Sequence, residues 1–301
     1  MSAPAVAVAA MNRPVAGALC AILSYLAFAT NDAIVKDLTA RYSVFQVSAM
    51  TTLFALLPYA VMVARDGGFA VVRPRQPKLV ALRGVLAVFG GITGIYAFSQ
   101  LPMADVYAII FVSPVLVTIL SIPVLGEKVG RYRWAAVGAG FVGVLVMVRP
   151  TGEALSLGHL AAFVNVFIGA AVVLLMRHLG PTEHRTVMVG TVMASVLIVN
   201  VPLALVFFVV PPWEDVLRAA AGGILMGFAQ FLIVRSLALA PAGVIAPMQY
   251  TILVWGALYG VLLFGDPIKT NVVVGACILV ASSVYIMYRE RVRQVPKPYV
   301  G

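Results

Sequence analysis

The chain has 301 residues, of which 62% are apolar and 11% charged, with a formal net charge of +10; an ordinary soluble domain is roughly a quarter charged. That balance excludes a soluble enzyme, a disordered chain and a disulfide scaffold, and it leaves no room for an extramembrane catalytic domain. A bilayer-crossing helix takes about 20 apolar residues, and the apolar runs here are continuous, not alternating, so the composition predicts an all-α integral membrane protein and excludes an outer-membrane barrel.

In chain order, residues 1–13 are Ala-rich with no basic stretch ahead of the apolar run, which predicts a disordered lead-in and no cleaved signal. Ten apolar segments follow, at 14–36, 44–64, 79–100, 103–125, 132–149, 157–178, 186–210, 215–239, 242–264 and 270–289, each long enough to cross a membrane. A basic tail, 290–301, closes the chain. With the N-terminus in the cytoplasm, fourteen Lys and Arg residues fall inside and only Lys36, Arg41, Arg149 and Lys269 outside. This bias predicts cytoplasmic N- and C-termini in a bacterial inner membrane. Arg83, Arg218 and Arg235 remain within spans near their ends, where snorkelling accounts for them.

Cys20 and Cys277 sit in apolar stretches, and His159, His178 and His184 lack metal-ligand spacing, so neither a disulfide nor a metal is expected. The string Gly138-Ala139-Gly140-Phe141-Val142-Gly143 imitates a dinucleotide fingerprint, but no strand precedes it and it lies in an apolar run; small residues there serve close helix packing. The glycines of spans three and eight, Gly84, Gly90, Gly91 and Gly94, and Gly222, Gly223 and Gly227, carry the same expectation. No cofactor, nucleic acid or obligate protein partner is expected; the partners are the lipid bilayer and a small-molecule substrate.

Sliding the sequence on itself matches Leu101-Pro102-Met103-Ala104 to Ala240-Pro241-Ala242-Gly243 and Gly126-Glu127 to Gly265-Asp266, at a constant offset of 139. The offset lays span four on nine and five on ten, as two five-span halves require. Five being odd, the halves enter the membrane in opposite senses, the inverted-repeat plan of many secondary transporters. The expected organisation is therefore 14–150 for the first half and 151–289 for the second.

The run Arg83 to Pro150, with Leu101-Pro102-Met103-Ala104, Ser113-Pro114, Leu125-Gly126-Glu127-Lys128-Val129-Gly130, Trp134 and Val148-Arg149-Pro150, resembles the EamA repeat of the drug/metabolite transporter superfamily. Ala238 to Ala242 through Gly265-Asp266 is a looser second copy, and Asn31-Asp32-Ala33 with Lys36 is similar to many members. The resemblance implies ten helices and export of amino acids, other small metabolites or drugs. It departs from the family pattern at Thr51, where an arginine is frequent, and at Asp266, which replaces a glutamate.

Ionisable groups at bilayer depth are costly and point to function. Asp32 and Lys36 share a helix face at i, i+4 spacing; a local salt bridge is the favoured expectation, with a proton or substrate-amine site as the alternative. No catalytic residues are evident. Neutral groups carry more weight: Tyr25 and Asn31 in span one, Tyr96 and Ser99 in three, Tyr107, Phe111 and Pro114 in four, Asn165 in six, Gln230 in eight, and Gln249, Tyr250 and Trp255 in nine. An unpaired amide in lipid costs several kcal/mol, so these should face the bundle interior. Taken singly each could serve an interhelical hydrogen bond. As a set they predict an aromatic and amide-lined substrate cavity where the repeats meet, with Phe111 and Tyr250 at equivalent depths and a kink at Pro114 suited to a gate. The expected function is export of aromatic or neutral amino acids, or similar small metabolites, by alternating access, with Asp32 and Lys36 as coupling or gating residues. The alternative is a multidrug or quaternary-cation exporter of the same fold, for which Asp32 and Asp105 are the available carboxylates.

Overall fold

The computed structural model describes residues 3–68, 72–125, 156–179, 182–240, 245–267 and 269–278, with scattered positions over 134–146 and at 280, 281 and 285. Among the described residues the regular structure is helical throughout: α1 (Ala3–Thr39), α2 (Val44–Arg65), α3 (Pro77–Gln100), α4 (Met103–Ile110), α5 (Ser113–Leu125), α6 (Leu157–Leu179), α7 (Arg185–Val206), α8 (Trp213–Leu239), a 3-10 turn (Ala246–Tyr250) and α9 (Thr251–Phe264). The chain is helical again over 270–278. Six helices are long and apolar enough to cross a membrane, and two shorter apolar stretches, Met103–Val117 and Met248–Phe264, accompany them. Most of predicted span five, most of span ten beyond residue 278, Glu127, Arg149 and the tail 290–301 lie outside the described residues.

Local chemistry sets the boundaries. The Ser43 side chain accepts the backbone N–H of Gln46 and starts α2, as an N-cap should. Pro77 opens α3, where its missing N–H costs nothing. Gly265, at φ 65°, closes α9 in the left-handed region, with the Asp266 N–H on the Gly260 carbonyl at 2.9 Å. α1 runs back to Ala3, ahead of the predicted start at residue 14; alanine is the best helix former, and extending a formed helix is cheap. α7 stops at Val206, short of the predicted 210, because Pro211 disfavours helix just before it and Gln46 takes the Val209 backbone, Nε2 donating to its carbonyl at 2.6 Å and Oε1 accepting its N–H at 3.0 Å.

Predicted spans four and nine both depart from one regular α-helix. The first breaks at Phe111–Val112 between α4 and α5, and the second changes from 3-10 to α-helix at Tyr250–Thr251. These departures are 139 residues apart, the offset of the sequence repeat. In span four the expected disturbance falls just before Pro114, which has no N–H to offer the turn preceding it.

α1 packs on α8, α2 on α7 and α8, α3 on α6 and α7, and α9 on α1 and α4. Close approach depends on glycine at several of these seams. A Cβ at Gly223 would overlap the Thr51 carbonyl of α2, one at Gly227 the ring of Pro58, and one at Gly84 the Ser195 side chain of α7. The expected tight packing of both glycine-bearing helices holds, with α3 facing α6 and α7 and α8 facing α1 and α2. Outward faces carry bare apolar side chains, among them Leu57, Phe89, Phe167, Ile198 and Leu262, while Ser24, Gln46, Ser48, Thr51 and Asn200 are buried. That distribution inverts the rule for soluble domains and suits a lipid exterior.

The polar groups gather at two ends. At the α1–α2 end, Asp215 is buried and receives Arg41 at 2.9 Å, Arg218 at 3.1 Å and the Tyr42 hydroxyl at 2.7 Å. Arg218 is therefore ion-paired, with Asp37 at 3.2 Å as well, instead of snorkelling alone. Arg83 also departs from that expectation: its guanidinium bonds the Met188 carbonyl and the Met176 sulfur, tying α3 to α7 and α6. Arg235 is exposed near the end of α8.

At the α2–α3 end, Asp66 is held by Arg185 and by the Thr186 hydroxyl at 2.6 Å. The Arg185 hydrogen bond dominates, over an opposing push from burial, and holds the carboxyl at about 2, below the ordinary value of about 3.9. A depressed acid stabilises the fold fully above its unfolded pKa and loses that contribution as pH falls through the folded one. Wild type should therefore melt above Asp66→Asn at pH 6, with the gap narrowing as pH drops from about 4 towards 2. Melting curves of both proteins across that range check this.

Candidate functional site

The C-terminal part of α1 presents Thr30, Asp32 and Lys36 to the short helices, with Asn31 beside Asp32. Asp32 is partly buried; its carboxylate accepts the Tyr107 hydroxyl from α4 at 2.6 Å and the Asn31 amide at 3.3 Å. Lys36 donates to Asp266 at 2.8 Å and to the Leu101 carbonyl at 3.0 Å, and its ammonium lies 4.7 Å from the centroid of the Phe264 ring. The expected Asp32–Lys36 salt bridge is thus not formed. Asp266 is set just past the Gly265 cap and also accepts the Met103 N–H at 3.3 Å; its carboxylate, the Leu101 carbonyl and the Phe264 ring together offer Lys36 what the i, i+4 pairing alone does not match. One more link joins α1 to α9, Thr30 to Tyr259 at 2.8 Å.

Tyr107 is buried, edge to face with Phe98 at 5.3 Å. Gly256 of α9 lies against its ring, where a Cβ would overlap it. One turn further along, Phe111 is buried and stacks on Tyr250, with centroids 5.2 Å apart at 29°. The aromatic pair that the repeat offset places at equal depth is in direct contact, at the helix break in span four and the 3-10 to α change in span nine.

Asn31, Asp32 and Tyr107 therefore meet, with Lys36 one turn on from Asp32 and the Phe111–Tyr250 pair one turn on from Tyr107. Tyr25 lies lower on α1, packed on the Ala21, Ala240 and Ile245 cluster with Met248. Asn165 binds the Gly90 carbonyl at 2.6 Å in the α3–α6 seam, the interhelical role. Ser99 bonds the Tyr96 carbonyl of its own helix at 2.7 Å, and Tyr96 is partly buried beside it on α3. Trp255 Nε1 and Asn31 Oδ1 are buried without hydrogen-bond partners among the described residues. Gln230 and Gln249 are exposed, so the expected interior position does not hold for them; Gln230 follows Ala229, which faces α1 and accepts the Ser24 hydroxyl, and one residue turns it about 100° away. Pro114 lies in α5 immediately after the break. Asp105, the second carboxylate considered, sits 3.8 Å from Lys269. Sequence reasoning missed Asp266 as the Lys36 partner, and with it Phe98, Gly256 and Tyr259; the Gly265-Asp266 step of the repeat was the one available signal.

An apolar exterior, buried polar seams and membrane-length helices define a multi-pass membrane protein. The EamA-like transporter family model matches residues 15–149 and again 156–288, so the chain belongs to that family; it is a transporter and not an enzyme. Among its relatives, a riboflavin transporter of Rhizobium johnstonii is 27% identical over 95% of both chains. An S-adenosylmethionine uptake transporter of Rickettsia prowazekii is 23% identical over 90% of this chain and 92% of its own. The pseudopaline exporter CntI of Pseudomonas aeruginosa is 27% identical over 89% and 94%. A solved crystal structure at 18% identity has a TM-score of 0.67 and covers 92% of this chain and 98% of its own, a likeness of fold.

Proposed function

We propose that the chain is a ten-helix secondary transporter of two inverted five-helix halves, 14–150 and 151–289, in a bacterial inner membrane with both termini cytoplasmic. It moves small aromatic or neutral amino acids, or similar metabolites carrying a planar ring, by alternating access. The observation that carries this reading is the stacked pair Phe111 and Tyr250, one repeat offset apart, set at the helix break at Phe111–Val112 and at the change from 3-10 to α-helix at Tyr250–Thr251. Interrupted helices line the substrate path in inverted-repeat carriers, and a ring pair favours a flat apolar group. The double match of the family model supports the two halves, and the basic-residue bias supports the orientation.

Export is the net direction proposed. The relatives named above include an uptake transporter and an exporter, in keeping with a carrier whose net flux follows its gradients. A heteroaromatic substrate is the second reading, favoured by the same stacked pair and by the riboflavin transporters of Rhizobium johnstonii and Vibrio cholerae among the relatives. The test is counterflow in proteoliposomes with labelled phenylalanine, tryptophan, alanine, riboflavin and tetraethylammonium. Aromatic amino acids should exchange fastest. Exchange of riboflavin alone moves the assignment to the heteroaromatic reading, and exchange of tetraethylammonium alone overturns both.

A further inference from the structure

Resting on the reading of the chain as a carrier of small ring-bearing metabolites, we propose that Asp32 is a cation subsite that takes the ammonium group of the transported molecule, and that Asp266 keeps it vacant by holding Lys36 away. A carboxylate has about four acceptor positions. Asp32 has two neutral donors, the Tyr107 hydroxyl at 2.6 Å and the Asn31 amide at 3.3 Å, and among the described residues no cation forms a salt bridge with it. A charge at bilayer depth without a counter-charge is costly, so the site is incomplete until a cation fills it.

The nearest candidate from the protein is Lys36, one turn on in the favourable acid-before-base i, i+4 order. Its ammonium is engaged by Asp266 and the Leu101 carbonyl, both at the end of the bundle. Asp266 is therefore a positioning residue: it does not touch the ligand, yet it decides whether Asp32 is open.

The surroundings select the kind of cation. Tyr107, whose hydroxyl bonds the carboxylate, packs edge to face on Phe98, and Tyr259 is fixed through Thr30, two residues before Asp32. Aromatic faces attract an organic ammonium that has shed its water. Phe111 follows Tyr107 by one helical turn, about 6 Å along the axis, and stacks on Tyr250. A ligand anchored at Asp32 therefore reaches the ring pair with an aromatic group two or three bonds from its nitrogen. The ligand class is an aromatic amine or amino acid with a free ammonium group.

The test uses the full-length protein in nanodiscs, with three matched probes: phenethylammonium, its neutral N-acetyl derivative and 3-phenylpropionate. Wild type should bind phenethylammonium at least about tenfold more tightly than the neutral probe, the scale of a charge-assisted contact. Asp32→Asn should erase that preference. Asp266→Asn should weaken phenethylammonium binding several-fold, because the released Lys36 falls back on Asp32. Lys36→Met should tighten binding, and Asp266→Asn combined with Lys36→Met should recover at least the wild-type preference. A purely structural role predicts the reverse, a double variant no better than Asp266→Asn. Melting temperatures of the same samples identify misfolded variants, and if Asp32→Asn does not fold, the Asp266 and Lys36 variants decide alone. Retention of the ammonium preference in folded Asp32→Asn, or no recovery in the double variant, overturns the subsite. Equal transport of the neutral and cationic probes overturns the subsite and leaves the carrier reading intact, whereas absence of binding and flux for every aromatic probe overturns the carrier reading itself.

Discussion

Gly223→Val should leave little folded protein, and what survives should melt far below wild type. The α2–α8 seam is closed by backbone: a side chain at Gly223 would run into the Thr51 carbonyl, with the Ala55 amide nitrogen 3.0 Å away. A flexible side chain can step aside, but a helix backbone moves only with its helix. One turn along, Gly227 faces the Pro58 ring with equally little room, so α8 cannot tilt to relieve the first clash without worsening the second. Overpacking a core commonly costs about 1–3 kcal/mol, and a clash against backbone on both sides belongs at or above the top of that range. Gly91→Val is the control, since nothing lies within 4 Å of a Cβ there. Size-exclusion profiles and melting curves in detergent compare the two. A monodisperse Gly223→Val protein melting within a few degrees of wild type would show that the seam is looser than described.

Phe111→Ala and Tyr250→Ala should each reduce transport of large aromatic substrates about threefold to tenfold relative to small polar ones, since an aromatic pair contributes about 0.5 to 1.5 kcal/mol beyond area burial. The rings stack with centroids 5.2 Å apart, and an aromatic substrate there replaces ring–ring contact with ring–substrate contact. Phe111 is also buried with Ala108 and Val272, so Phe111→Ala should cost about 3 kcal/mol of stability as well. Fluxes of tryptophan and alanine, each normalised to folded protein, separate the two effects. Unchanged selectivity together with lost stability would make the pair a packing element and remove it from the substrate path.

Much of the architecture was legible along the chain. A run of 20 apolar residues has one stable form in lipid, so the six long helices could be read directly, and their ends shifted only where local chemistry intervened. The alanine-rich start lengthened α1, and the pairing of Gln46 with Val209 shortened α7. The repeat offset singled out Phe111 and Tyr250 as a matched pair, but only the structure shows that their rings stack. The site was read less well where its residues had several partners to choose from. Asp32 and Lys36 looked like a pair because helix periodicity reports only neighbours on one helix; Lys36 instead reaches Asp266, 230 residues away. Gln230 was misplaced for a related reason, since amide chemistry says that a partner is needed but not which face of α8 carries it.

By itself, then, the sequence determined the membrane class, the positions of the six long apolar helices and the glycines that line their seams, because each depends on composition or on spacing along one helix. Only the tertiary structure decided which helices those glycines admit, that Asp215 gathers Arg41, Arg218 and Tyr42, and that Lys36 leaves Asp32 for Asp266. Those outcomes are competitions among groups that meet only after folding, and their results depend on distances and dielectric surroundings that no local pattern encodes.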